Sequence, residues 1–157
     1  MTIYKALIET KVGPLGIAEE DQLLTHLFFQ QNKSPENAIE KWTPFLRDVA
    51  KELKEYVNGK RKNFDIPLKF HGTDFQMSVW KALLTIPYGE TRSYGEIAEK
   101  IGNAKACRAV GMANNRNPIA IIIPCHRVIG ADGSLTGFGG GLPLKQQLLD
   151  LEKLNRL

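Results

Sequence analysis

The segment Ser93-Tyr-Gly-Glu-Ile-Ala-Glu-Lys-Ile-Gly102-Asn-Ala-Lys-Ala-Cys-Arg108-Ala-Val-Gly-Met-Ala113 reads as two short helices hinged on a glycine. Ser93 with Glu96 three residues on is a capping box. Ile97, Ala98 and Ile101 follow as the apolar positions of a short helix, and Gly102 ends it. Asn103 is placed to cap a second helix, roughly Ala104–Ala113. Such a pair with a brief glycine turn is a helix-turn-helix pattern, found both in nucleic-acid readers and in ordinary cores. The second helix is built from Ala104, Ala106, Ala109, Gly111 and Ala113 around Arg108. So little side-chain bulk permits close approach to a neighbouring helix or to a nucleic-acid groove.

Downstream, Pro118-Ile-Ala-Ile-Ile-Ile-Pro-Cys-His-Arg-Val128 runs from an apolar, β-branched stretch into Pro124-Cys125-His126-Arg127. The stretch reads as a buried strand. A cysteine beside a histidine and an arginine can be held partly as thiolate, the nucleophilic form, although most free cysteines are buried and inert. Neighbours on a strand point to opposite faces, so Cys125 and His126 can cooperate only if the chain turns after Pro124 or a water bridges them. Ala131–Ser134 then reads as a hairpin turn and Gly137-Phe-Gly-Gly-Gly141 as a loop that backbone or ligand can approach closely. Leu142–Leu154 closes the chain as an amphipathic helix, with Pro143 in its first turn and Glu152 near its end.

Upstream, Thr73-Asp-Phe-Gln76 opens another helix, carrying Phe75, Val79, Trp80, Leu83 and Leu84. The first third has strand character at Ile3–Thr10, Leu15–Glu19 and Leu23–Phe29. Ser34-Pro35 reads as a helix start, and Pro44 divides the helical spacing that follows into a short helix and a longer one capped by Thr43 and stopped at Gly59. Polar, basic Lys60–His71 reads as a linker. The organisation is therefore α+β, with an N-terminal support domain over residues 1–65 and a C-terminal domain over 66–157.

The chain has 157 residues, 43% hydrophobic and 24% charged, ordinary for a globular protein. Its two cysteines imply no disulfide framework and fit a reducing compartment, the cytoplasm. No signal-peptide pattern is visible at the start, no apolar run is long enough to span a membrane, and the three histidines share no zinc-type spacing. Net charge is +4, and residues 91–128 alone carry six basic and two acidic side chains, a local surface suited to a polyanion or simply a solvated face.

From Phe75 to Glu152 the chain resembles the O6-alkylguanine-DNA alkyltransferases (methylated-DNA–protein-cysteine methyltransferases). The resemblance is carried by Ile123-Pro-Cys-His-Arg-Val128, with Phe75-Gln-Met-Ser-Val-Trp80, Pro87-Tyr-Gly-Glu90, Ser93-Tyr94, Arg108-Ala-Val-Gly111, Asn117-Pro118 and Gly140-Gly-Leu142 in order. It implies a small ribonuclease-H-like α/β domain followed by a helical, winged-helix-like domain with the helix-turn-helix. It implies DNA repair as a suicide enzyme: one methyl group passes from O6-methylguanine, and less readily from O4-methylthymine, to Cys125. His126 would be the base and Glu152 its orienting carboxylate. Tyr94 and Arg108 would rotate the nucleotide out and fill its place, Asn117 would brace the active-site backbone, and Val128, Phe138 and Gly139 would complete the substrate and DNA-binding set. Phe138 stands where tyrosine is usual and Gly139 where several relatives have serine. No metal or cofactor is implied. The partner would be double-stranded DNA containing alkylated bases, bound by a monomer, with no membrane. A thiol hydrolase using Cys125, His126 and Glu152, and a non-catalytic DNA-binding regulator, are the competing readings.

Overall fold

The computed structural model describes residues 2–29 and 33–156. The chain divides into two compact units, Met1–Phe70 and His71–Leu157. In the first, β1 (Tyr4–Thr10), β2 (Gly13–Glu20), β3 (Leu23–Phe28) and β4 (Ile39–Glu40) form one sheet in the order β3-β2-β1-β4. β1–β2 and β2–β3 are antiparallel, and β4 lies parallel to β1. Helix α1 (Pro44–Val57) buries Leu46, Val49 and Leu53 in a core shared with Leu15, Ile17, Leu24 and Leu27. Thr43 caps it: its Oγ1 accepts from the Leu46 N–H at 3.1 Å and donates to the buried Glu19 carboxylate of β2.

Two expectations change here. Ser34-Pro35 starts no helix. Asn37 takes a left-handed turn (φ 60°), and the following residues instead pair with the free edge of β1, with Ile39 N–H donating to Ile3 O at 2.9 Å and Lys41 N–H to Lys5 O at 3.0 Å. Pro44 disfavours helix in the residue before it, so the helical spacing has effect only from Pro44 onward. The Lys60–His71 stretch is no free linker, and residues 66–70 go with the first unit rather than the second. Leu24 N–H donates to Pro67 O and Lys69 N–H to Leu24 O, both at 2.9 Å, so Leu68 bridges β3.

The second unit contains α2 (Asp74–Leu83), β5 (Arg92–Ser93), α3 (Tyr94–Lys100), α4 (Cys107–Asn115), a 3-10 turn (Cys125–Arg127), β6 (Val128–Ile129) and α5 (Leu142–Asn155). Both capping boxes form: Gln76 N–H to Thr73 Oγ1 at 3.1 Å with Thr73 N–H to Gln76 Oε1 at 3.0 Å, and Glu96 N–H to Ser93 Oγ at 3.0 Å with Ser93 N–H to Glu96 Oε1 at 2.9 Å. β5 and β6 pair in parallel, Arg92 with Val128 and Ser93 with Ile129, tying the start of the helix-turn-helix to the chain just after Cys125-His126-Arg127. Trp80 Nε1–H donates to Ala113 O at 2.9 Å, fastening α2 to the end of α4.

Helix α4 begins at Cys107, not Ala104, and has no side-chain cap; Asn103 is spent on a turn whose carbonyl accepts from Ala106 N–H at 3.0 Å. The larger difference is at Ile119–Ile123, which is not a strand. Ile122 N–H bonds to Ala120 O at 2.8 Å and Ile123 N–H to Ile119 O at 3.0 Å, so consecutive tight turns satisfy the backbone locally. Buried Ile121 is left at φ 70°, a costly conformation for a β-branched residue. Ala131–Ser134 does turn, with Gly130 N–H donating to Ser134 O at 2.8 Å, but joins no antiparallel pair because β6 is partnered by β5.

One glycine in the first unit has a steric reason. A Cβ at Gly16 would lie 2.2 Å from the Phe28 ring on the paired strand. We expect Gly16→Ala to destabilise the protein by about 1–3 kcal/mol through overpacking, read as a lower urea midpoint at unchanged slope.

Candidate functional site

The turns after Ile119 deliver what a strand could not. Pro124 leads into a single 3-10 turn, Cys125–Arg127, closed by Arg127 N–H to Pro124 O at 3.0 Å. Successive side chains on such a turn fan around its axis, so adjacent Cys125 and His126 escape the opposite-face constraint. Asn117 holds the approach: its Nδ2 donates to Ile123 O at 2.7 Å and its Oδ1 accepts from Ile119 N–H at 3.0 Å. Asn114 of α4 donates to Cys125 O at 3.2 Å.

Behind this turn sits a buried charge cluster. Glu152 of α5 accepts from His126 Nε2 at 2.7 Å, from Arg127 Nε at 2.7 Å and Nη2 at 3.0 Å, and from Gly89 N–H at 3.3 Å. Arg127 Nη1 donates to Ile86 O at 2.7 Å. Arg127 thus anchors the fold internally. Burial opposes ionisation of Glu152, but hydrogen bonds and charge from His126 and Arg127 outweigh it and hold the carboxyl well below its usual range. Burial pushes His126 down against the pull of Glu152, so the imidazole is neutral. An ionised carboxylate can only accept, which assigns the imidazole proton to Nε2 and leaves Nδ1 as the basic nitrogen.

Cys125 is 5% exposed. Burial pushes its thiol up, and hydrogen bonding from Asn117 and the charge of Lys145 offset this only partly. Desolvation thus opposes the partial thiolate that the sequence allowed. Lys145, unremarked in the sequence, is central. Fully buried on α5, its Nζ donates to Val128 O at 2.6 Å and Thr136 O at 3.0 Å, and lies 6.0 Å from the Tyr94 ring centre. It joins the strand after the 3-10 turn to the loop before α5. The missed signal was spacing: Lys145, Leu148 and Glu152 fall on one face of α5, and a lysine and a glutamate sharing the stripe of a buried leucine are misplaced for a solvated helix.

The remaining expected residues fall on α3, α4, β6 and the loop before α5. Tyr94, at the start of α3, donates from its hydroxyl to Thr136 O at 3.1 Å, so the phenol is engaged by the loop. Val128 is buried on β6. Phe138 is half-buried and Gly139 exposed in the loop before α5; a Cβ at Gly139 would meet nothing within 4 Å. Arg108 is exposed on α4, with no hydrogen bond or ion pair among the described residues. Among those residues no cluster of three metal-ligating side chains occurs, and no helix is long and apolar enough to cross a membrane.

Two measurements check this electrostatic picture. Both Glu152 and His126 titrate lower in the fold than in the open chain, so on acidification the unfolded state takes up their protons first. Stability should be full above about pH 6.5, fall as His126 must charge, and fall further below about pH 4.3. Glu152→Gln should remove the lower limb and cost about 3–5 kcal/mol at neutral pH, because Arg127 loses its buried counter-charge. In the absence of DNA at neutral pH, iodoacetamide should modify exposed Cys107 at least about tenfold faster than Cys125, as read by peptide mass.

Comparison with known proteins matches both units. The family model for the 6-O-methylguanine DNA methyltransferase ribonuclease-like domain covers residues 3–70, and that for the DNA-binding domain of the same family covers 74–154. A methylated-DNA–protein-cysteine methyltransferase of Methanosarcina acetivorans is 51% identical over 96% of this chain and 98% of its own length. One from Mycobacterium tuberculosis is 52% identical over 96% of this chain and 93% of its own. The crystal structure of Mycobacterium tuberculosis OGT in complex with DNA superposes with a TM-score of 0.91 at 50% identity, covering 97% of this chain and 94% of that one.

Proposed function

The chain belongs to the 6-O-methylguanine DNA methyltransferase family and moves a methyl group from O6-methylguanine in DNA to a cysteine of its own, and we propose that this cysteine is Cys125. What carries the assignment is the single 3-10 turn that presents Cys125 beside His126, with Glu152 fixing the imidazole from behind. Cys107, the other cysteine, is exposed on α4, with no base or buried carboxylate in hydrogen-bond contact among the described residues.

The reaction is an in-line displacement at carbon. Sulfur must come within about 3–3.5 Å of the methyl group, opposite the leaving oxygen. A stacked base cannot offer that geometry, so the nucleotide swings out of the duplex at a cost of a few kcal/mol. Arg108, exposed and unpaired on α4, fills the vacated stack. Tyr94 exchanges its bond with Thr136 O for one with the purine edge. The thiol proton passes through a bridging water to His126 Nδ1, and the imidazolium is stabilised by Glu152. The S–C bond forms as the C–O6 bond breaks, its electron pair leaves with the purine, and the His126 imidazolium returns its proton to the purine through the water, so that thioether, imidazole and base all end neutral. Lys145 lowers the energy of the transient thiolate by Coulomb attraction and holds the loop bearing Phe138 and Gly139.

The product thioether cannot ionise and has no displaceable proton, so each molecule acts once. O4-methylthymine is the poorer donor. The protein works as a monomer on double-stranded DNA, with no cofactor, in a reducing compartment such as the cytoplasm, where the Cys125 thiol stays available.

The test is to mix the protein with a duplex containing O6-methylguanine and map peptide masses. One methyl group should appear on the Cys125 peptide, stop at one per protein, and be absent in Cys125→Ser, which keeps its DNA affinity. Methylation elsewhere would overturn the assignment. Lys145→Met should slow transfer by roughly 10²-fold or more at saturating duplex, on the scale of losing one preorganised charge.

A further inference from the structure

Helix α1 of the first unit segregates its charges in a way the site in the second unit does not explain. At 3.6 residues per turn, Arg47, Lys51, Lys54 and Asn58 fall within about 60° of arc and extend along about 16 Å of axis. Asp48, Glu52 and Glu55 fall on the adjoining face. The acidic face is used internally: Arg61 Nε donates to Glu55 Oε1 at 3.1 Å, Arg61 Nη1 lies 3.3 Å from Glu52 Oε1, and Asp65 N–H donates to Glu52 Oε1 at 2.9 Å. These bonds fold the 61–65 segment back onto the helix and give Glu52 and Glu55 a shared guanidinium partner.

The basic face is left outward. Arg47, Lys51, Lys54 and Lys60 are exposed and join no carboxylate among the described residues. Like charges at i and i+4 repel, so the Arg47–Lys51 spacing weakens the helix, while Asp48 and Glu55 stand three and four residues from Lys51. The four cations line a groove of about 640 Å³ with Asn58 and with Trp42, whose indole is 37% exposed just before the helix. Glu55 also borders the groove, but it is the carboxylate held by Arg61.

We propose that this groove is a second DNA-contacting surface, in which Arg47, Lys51, Lys54 and Lys60 bind the phosphate backbone of double-stranded DNA and Trp42 packs on sugar. An extended row of unpaired cations with one exposed ring fits a regularly charged polyanion better than a single small anion. The inference rests on the protein's being a DNA-binding methyltransferase. It adds a sequence-independent affinity carried by the first unit, separate from base recognition.

The experiment compares full-length protein with the triple variant Arg47→Gln, Lys51→Gln, Lys54→Gln, using fluorescence anisotropy on an undamaged duplex over a range of NaCl. Each lost phosphate contact lowers the slope of log K against log salt by about 0.9, so the slope should fall by about 2–3 and affinity at low salt by roughly tenfold or more. Circular dichroism should show the fold intact, and methyl transfer to Cys125 at saturating duplex should be unchanged. An unchanged slope with transfer intact would overturn the second surface and leave the function standing. An equal loss on neutralising Lys33, Lys81 and Lys153, exposed lysines outside the groove, would reduce the effect to net charge and overturn it as well.

Discussion

The second unit is organised around one buried carboxylate. Taking Glu152 out of water costs several kcal/mol unless its lone pairs are met, and here donors from two separate segments, the 3-10 turn and the Pro87–Gly89 turn, converge on it. The carboxylate therefore does more than hold α5 in place. It fixes the imidazole by a hydrogen bond at Nε2, which decides the nitrogen that can accept a proton. It also gives the buried Arg127 guanidinium a bidentate partner, and Arg127 in turn holds the carbonyl of Ile86.

A nucleophile with a raised pKa looks ill-suited to its task, but the two requirements apply at different moments. In the resting protein a buried, protonated sulfur resists oxidation and adventitious alkylation, which matters for a protein that can react once. In the proposed reaction His126 receives the proton and the Lys145 charge favours the thiolate, so ionisation is needed only while a substrate base is present. The same ammonium holds the loop that carries Phe138 and Gly139, so electrostatic stabilisation and loop placement come from one side chain.

The first unit follows simpler rules. β1 alternates between buried and exposed side chains, β2 is buried from Leu15 to Glu19, and the helix buries one stripe, with Thr43 linking helix start and sheet through Glu19. Its charges are sorted into one face that folds the following segment and one that is left to solvent. Residues that share a helix can thus have unrelated duties, set by which face they occupy.

Local chemistry was legible in the sequence wherever a residue's role depends on its neighbours in the chain. The two capping boxes, the glycine between α3 and α4, Thr43 before Pro44, and the Pro-Cys-His-Arg signature all stood out because their partners lie a few positions away. The nature of the reaction came from the resemblance those signatures carry, since an adjacent cysteine and histidine alone also fit a thiol hydrolase. What the sequence misstated was decided at long range. A β-branched run has the composition of a strand, yet at Ile119–Ile123 the chain closes hydrogen bonds in turns and leaves Ile121 strained. The short segment after Ser34 has the composition of a helix, yet the free edge of β1 claims it. Lys145 looks solvated until α5 is docked, where burial opposes its charge while its Coulomb attraction favours the Cys125 thiolate. Burial likewise sets the protonation of Cys125 and His126, because desolvation depends on what surrounds a group in space and not on what precedes it in the chain.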